Sequence, residues 1–221
     1  TLLCLAGAAR AEPTADQVLT EMGLSAAEKQ RVMNGEFVTS EVGAVSERDL
    51  SFAVAFLVKA SPDALSKQIV DGALLADDAQ VRAHGMLTAP GGIKEFSALD
   101  ITTEEAHALT KAEPGDVMNR STGEHASFKA LRGAPTSSVL EHLRKILLAR
   151  YRSYRASGLG GIASYDRGRG ALSDVASDLT KASQAAKAVQ KHMPALHRLL
   201  FDYPRGSVPG LQESFLWVKS V

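Results

Sequence analysis

Cysteine is almost missing from this chain: of 221 residues only Cys4 is one. It sits in a leading apolar stretch, Leu2 to Ala9, which runs into Ala9-Arg10-Ala11 and then Glu12-Pro13. That pattern reads as the tail of an export signal with an A-x-A cleavage site after Ala11. No Met and no charged segment stand ahead of it, so residues 1–11 are read as a partial signal peptide. The expectation is a periplasmic or secreted protein whose mature chain starts near Glu12. Once Cys4 is removed with the signal, that chain has no disulfide and no thiolate-held metal. Leu3 is bulkier than a lipid-attachment site takes before its cysteine, which argues against a lipoprotein anchor.

Long apolar runs are missing too. Beyond the signal the longest is Phe52 to Val58, far short of the ~20 residues a membrane-spanning helix needs. No transmembrane segment is expected in the mature chain. Several motifs of catalysis and cofactor binding are also lacking. There is no Gly-Lys-Ser/Thr phosphate loop, and the glycines of Gly158-Leu-Gly-Gly161 and Gly168-Arg-Gly170 follow a helical pattern where a dinucleotide loop would follow a strand. There is no Gly-x-Ser-x-Gly elbow. The six histidines (His84, His107, His125, His142, His192 and His197) never fall as His-x-x-x-His, and Pro194 separates the last two. Neither a cofactor nor a metal is expected, and no catalytic residue stands out.

Net charge is zero, but it is unevenly spread. Residues 12–133 hold 11 Lys/Arg against 19 Asp/Glu, and residues 134–221 hold 13 against 6. Either the basic part meets an anionic partner or the two parts dock on one another. Arg144 to Arg169 interleaves basic residues with Tyr151, Tyr154 and Tyr165, a mixture that suits nucleic acid. In an exported protein, acidic lipid headgroups or the acidic N-terminal part are the better match, so nucleic acid is disfavoured.

What is present organises the chain as mixed α/β over 12–133, a helical block over 134–212 and a returning strand over 213–221, with 12–221 read as one domain. Capping boxes at Ser25/Glu28, Thr102/Glu105 and Ser121/Glu124 each open a helix, and Ser61-Pro62 opens another. Helices are also expected from Ser138 to Ser157, ending at Gly158, from Asp174 to His192 and from Pro194 to Asp202. Strands are expected at 36–42, 50–59, 80–88 and 213–221. The resulting fold class is α+β: one small antiparallel sheet with a large helical block. The apolar strand Phe215-Leu-Trp-Val218 at the end either pairs back with the N-terminal strands or belongs to a sheet that continues beyond the given chain, and the second is the favoured reading.

Two features suggest a ligand pocket. The strand Ser51–Val58 is apolar on both faces, with Phe52, Val54 and Phe56 on one. It is either a central strand packed on both sides or the wall of an apolar cavity. On the 138–157 helix, Arg150 falls within the apolar arc of Val139, Leu143, Ile146, Leu147, Tyr151 and Tyr154. It snorkels, pairs with a carboxylate, or anchors an anionic group in a cavity. The candidate pocket residues are Phe52, Val54, Phe56, Arg150, Tyr154 and Trp217. The candidate ligand is a lipid or another apolar or anionic amphipathic molecule. The alternatives are a hydrolase assembled from residues distant in sequence and a helical interaction scaffold. Oligomeric state is left open.

Arg150-Tyr-Arg-Ser-Tyr-Arg155, Gly158-Leu-Gly-Gly-Ile-Ala-Ser-Tyr165, Phe201-Asp-Tyr-Pro204 and Glu213-Ser-Phe-Leu-Trp217 together resemble a family of bacterial secreted proteins of unknown function. Gly35-Glu-Phe-Val38 and Glu47-Arg-Asp-Leu50 are similar to it as well. The resemblance implies a β-rich continuation after the Trp-containing strand and assigns no catalytic residue. Val58-Lys-Ala-Ser-Pro62-Asp-Ala-Leu65 resembles the strand-to-helix turn of START-like, helix-grip proteins. That resemblance implies an antiparallel sheet wrapped round a long helix, with an apolar ligand held between them.

Overall fold

The computed structural model describes residues 13–41, 52–116 and 118–221. The signal reading of residues 1–11 and the Glu47–Leu50 resemblance therefore lie outside the described residues. In chain order the elements are α1 (Ala15–Glu21), α2 (Ala26–Met33), β1 (Val38–Glu41), β2 (Phe52–Ala55), α3 (Pro62–Val70), α4 (Ala73–Ala76) and β3 (Val81–Leu87). A 3-10 turn (Ile93–Phe96) leads to α5 (Thr103–Lys111), α6 (Thr122–Lys129) and α7 (Thr136–Ser157). Then come β4 (Tyr165–Asp166), β5 (Leu172–Ser173), α8 (Val175–Ala185), α9 (Lys187–His192), α10 (Pro194–Asp202) and β6 (Phe215–Ser220). The class is α+β, with small antiparallel sheets and a large helical block.

The chain forms two compact units, one holding the segment up to Lys59 with Gln184–Pro194, the other Ala60–Ser183 with Ala195–Val221. Gly133 lies inside the second, as the turn between α6 and α7. In the first unit, Ser25 and Glu28 cap α2 reciprocally: the Glu28 carboxylate takes the Ser25 N–H at 2.7 Å and the Ser25 hydroxyl accepts the Glu28 N–H at 3.3 Å. The helices bury Leu24 and Val32 against Val38 of β1 and Ala55 of β2. On α9, His192 meets Glu21 of α1 at 2.6 Å.

The doubly covered strand is a point of correction. β2 stops at Ala55 and pairs only with β1, with Val38 opposite Ala55 and Thr39 opposite Val54. Val54 is half-buried, whereas Phe56, Leu57 and Val58 are exposed, Phe56 stacking on Phe37 at 5.4 Å. A strand in a two-stranded ladder has one partner and a short buried patch, so residues past the ladder's end have nothing to pack under. Phe52 lies in β2, but its side chain is outside the described residues. Among the described residues the expected single sheet is three separate two-stranded ladders, β1–β2, β3–β6 and β4–β5, where the helix-grip resemblance implied one wrapped sheet. Other differences are local. The α7 helix opens at Thr136 because the Pro135 carbonyl already accepts the Val139 N–H. The expected 174–192 helix breaks at Ala186, where the Gln184 carbonyl is taken by Lys187 Nζ at 3.0 Å and by Gln190 Nε2. The two-residue strands β4 and β5 are too short to show a period.

The second unit is built on α7 and the β3–β6 ladder. α7 has 22 residues, about 33 Å at 1.5 Å per residue. Its Val139, Leu143, Leu148 and Tyr151 join Phe96, Leu99, Ala106, Phe128 and Trp217 in one core. β6 lies antiparallel on β3, Leu87 facing Phe215 and Gly85 facing Trp217. The Trp217 indole lies across Gly85, where a Cβ would come within 2.5 Å of Nε1, and the Nε1–H donates to the Glu95 carbonyl at 2.9 Å. Glu95's carboxylate in turn accepts the N–H groups of Thr88 (2.9 Å) and Gly92 (2.8 Å), fixing the turn between β3 and the core. At the far end of α7, Gly158 has φ +57 and a Cβ there would sit 2.1 Å from the Tyr203 carbonyl oxygen, so only glycine closes this helix.

Gly85→Ala is expected to force the indole off the strand and destabilise the second unit by about 2 kcal/mol. Trp217→Phe, which keeps an aromatic ring but leaves the part-buried Glu95 carbonyl short of a donor, should cost about 1 kcal/mol. Urea unfolding followed by Trp fluorescence for the first and by circular dichroism for both would measure these. Wild-type stability in the alanine variant would contradict the close approach.

Candidate functional site

Two clefts flank α7 in the second unit. The first, about 620 Å³, is lined by Arg150, Tyr151 and Tyr154 of α7, by Phe215, Trp217 and Val218 of β6, and by Gly161 to Tyr165 of the loop that follows the helix. The second, about 590 Å³, lies between α5, α7 and β6 and is mostly aliphatic: Ile101, Ala108, Leu109, Met118, Leu143 and Leu147. Leu99, Leu147 and Val218 border both. Both volumes fall within the roughly 300–1,000 Å³ of small-molecule sites. Of the six candidate residues, Arg150, Tyr154 and Trp217 come together on the first cleft. Val54 and Phe56 belong to the other unit and do not line it.

Arg150 does not face that cleft as a free cation. Its Nε and Nη2 hold the two carboxylate oxygens of Glu124 at 2.7 Å each, Nη2 also donates to the Asn119 carbonyl at 2.7 Å, and the guanidinium lies 5.5 Å from the Tyr165 ring centre. Glu124 is the last residue of α6's capping box and accepts the Ser121 N–H at 2.7 Å. Burial pushes the Glu124 carboxyl up, but the hydrogen bonds from Arg150 and Ser121 outweigh it and leave the group below its ordinary value. The same ion pair raises Arg150 against the opposing effect of burial. Charge and hydrogen bonding are thus satisfied within the protein.

The other basic side chains of α7 are also engaged. Arg144 donates to the carbonyls of Ser97 (3.1 Å) and Leu99, Arg152 to that of Gly91 (2.7 Å), and Arg155 to Glu213 and the Tyr203 hydroxyl. They tie loops to the helix, which leaves little of the solvated basic face a scaffold would present. On the second cleft, Lys219 pairs with Glu105 at 2.9 Å.

Arg120 is the most deeply buried arginine among the described residues, and the sequence reading did not single it out; Arg144 Nε, like its own, has no partner. Arg120 is 1% exposed and lines the second cleft. Nη1 donates to the Leu109 carbonyl at 2.6 Å and the guanidinium lies 4.3 Å from the Phe128 ring centre, but no partner meets buried Nε. Among the described residues no carboxylate forms an ion pair with it. Burial, with Arg150 nearby, holds its guanidinium below the ordinary value; Glu124 and Asp116 oppose that. A guanidinium nonetheless keeps its proton in a protein. The sequence does carry a signal. Arg120 and His125 occupy the N′ and N4 positions around the Ser121 cap, where two apolar side chains usually staple a helix start. His125 is buried as well, with neither ring nitrogen partnered.

Among the described residues, Ser127 Oγ and His142 Nε2 meet at 2.8 Å, a serine–base contact. Ser127 sits within α6 and also donates to the Glu124 carbonyl at 2.8 Å, His142 packs edge-on against Phe128, and neither borders the two clefts. This is a packing arrangement with no adjoining substrate cavity. Among the described residues no three His, Cys, Asp or Glu side chains gather as metal ligands do, and no helix is long and apolar enough to cross a membrane. Compared with family models, curated proteins and solved structures, the chain matches none.

Breaking one side of the Arg150–Glu124 pair should be costly. Glu124→Gln or Arg150→Met is expected to destabilise by about 2 kcal/mol, and the double variant by less than the sum, because each single change strands a mostly buried charge. Additive losses would show the two residues uncoupled. His142 gives a second test. Burial, with Lys145 close by, holds its imidazole below the ordinary histidine value, so the fold favours the neutral ring. As pH falls through about 6.5, the unfolded chain takes up this proton first and stability drops until the folded ring also titrates. His142→Gln should flatten that part of a Tm-against-pH curve between about pH 7.5 and pH 5; an unaltered slope would assign the effect elsewhere.

Proposed function

We propose that the chain is a non-catalytic binding protein for an apolar or anionic amphipathic molecule, exported to the cell envelope. The observation that carries this reading is the pair of clefts on either side of α7, each large enough for a small amphipathic ligand and walled mainly by aliphatic and aromatic side chains. The export part rests on the A-x-A peptide at residues 9–11, and N-terminal sequencing of the natural product is expected to begin at Glu12. A binding role also fits the electrostatics, since Glu124 and Glu105 beside the clefts are held in ion pairs with Arg150 and Lys219.

The test uses 1-anilinonaphthalene-8-sulfonate, an anionic amphipathic probe, titrated into the full chain at native pH. Saturable fluorescence enhancement without loss of cooperative unfolding is expected. Leu147 borders both clefts, so Leu147→Trp should fill space in each and weaken the probe at least tenfold while the variant stays folded. Absence of saturable binding to the wild type, or binding indifferent to the Trp, would remove this reading.

A further inference from the structure

Arg120 and Arg150 differ in how their guanidinium groups are met. Arg150 grips a carboxylate side-on, through Nε and Nη2, and the Glu124 oxygens meet both nitrogens at 2.7 Å. Arg120 directs Nη1 at the Leu109 carbonyl and leaves its buried Nε without a protein partner among the described residues. A cation that is 1% exposed and unmatched by a carboxylate is a costly thing for a fold to keep. It borders a cleft whose apolar walls are aliphatic and whose other charged lining residues are Lys111, Asp116 and the paired Lys219 and Glu105.

We propose that Arg120 is the head-group anchor of the second cleft and that the ligand is a single-chain carboxylate, its tail lying along Ile101, Leu109 and Leu147. This rests on the binding reading above and makes it specific. With Nε unpartnered, the guanidinium can offer the two parallel N–H donors that match the two oxygens of a carboxylate. Charge count separates the anions. Lys111, Arg120 and Lys219 line the cleft against Glu105 and Asp116, three positive charges to two negative, so one carboxylate balances it, whereas a phosphate monoester brings about −1.5 to −2 at neutral pH and would bury an excess of negative charge.

Isothermal titration of the full chain with dodecanoate, dodecanol and dodecyl phosphate tests this. Dodecanoate is expected to bind at least tenfold more tightly than either of the others, with one site per chain. In Arg120→Met, which keeps bulk but no charge, the acid and the alcohol should bind alike. Arg120→Lys, charged but without the planar edge, should keep only part of the preference. If none of the three binds the wild type, the binding function itself is lost; if all bind equally, or dodecyl phosphate binds best, binding stands and the carboxylate anchor falls. A Met variant that still prefers dodecanoate also overturns the assignment. Should the Met variant not fold, the wild type decides through its arginine Nε–H resonances, where dodecanoate should shift one strongly downfield and dodecanol none. A spectrum unmoved by dodecanoate would place the head group away from any guanidinium. Thermal melts separate function from structure: Arg120→Met should melt at or above the wild-type temperature without ligand, and a marked fall would make Arg120 a structural residue.

Discussion

The Trp217 indole lying flat on Gly85 is the contact on which the second unit depends. It brings the last strand of the chain onto β3, hands its N–H to Glu95 and stacks on Phe96 at 6.0 Å. Glu95 then holds the Thr88–Gly92 turn with its carboxylate, so one side chain and its carbonyl partner join β6, β3 and the core turn. Tyr151 of α7 meets Phe215 edge-on at 5.3 Å, and Tyr154 stacks on Tyr203 at 5.2 Å. Large rings between a helix and a two-stranded ladder hold the backbones apart in the middle and leave open volume to either side. The clefts are a consequence of that aromatic layer.

The uneven charge along the sequence finds much of its explanation inside the second unit. Arg150 and Lys219, from the basic part, pair with Glu124 and Glu105, from the acidic part. Arg144 and Arg152 meet backbone carbonyls in the 91–99 segment. The two parts thus neutralise each other through specific hydrogen-bonded contacts, and the basic helix is spent on positioning loops. Against that background Arg120 stands out by its depth: at 1% exposed it is far more buried than Arg144, whose Nε is likewise unpartnered.

Local chemistry made much of the fold legible in the sequence. Ser25, Ser61, Thr102 and Ser121 each cap the helix expected of them, since a cap is decided within four residues. Gly158 ends α7 for a reason that is local in its positive φ and distant in the Tyr203 carbonyl that leaves no room for a Cβ. Pairing partners were harder to read: β6 was recognised as a strand, but nothing in Phe215–Ser220 states that its neighbour is β3 alone. The apolar run at 52–58 was misread for a related cause. Alternating hydrophobicity reports a tendency to be covered, and coverage depends on which layers arrive from elsewhere in the chain. For the site, the periodicity of α7 correctly drew attention to Arg150 as a charge in an apolar arc, but could not show that Glu124, on another helix, meets it.

Arg120 shows the same limit from the opposite side. Its neighbours spell a good capping box, and the box forms, yet the staple positions around it hold Arg120 and His125 in place of two apolar residues. Each buried polar atom left without a partner costs on the order of 1–3 kcal/mol, against a total stability of about 5–15 kcal/mol for an ordinary domain. Three such atoms at one helix start, Arg120 Nε and both His125 ring nitrogens, are therefore a large fraction of what holds the unit together. Two leucines would staple the same helix without that penalty. Where local rules are kept everywhere around a position and broken at it, the departure is better explained by what the position binds than by how it folds.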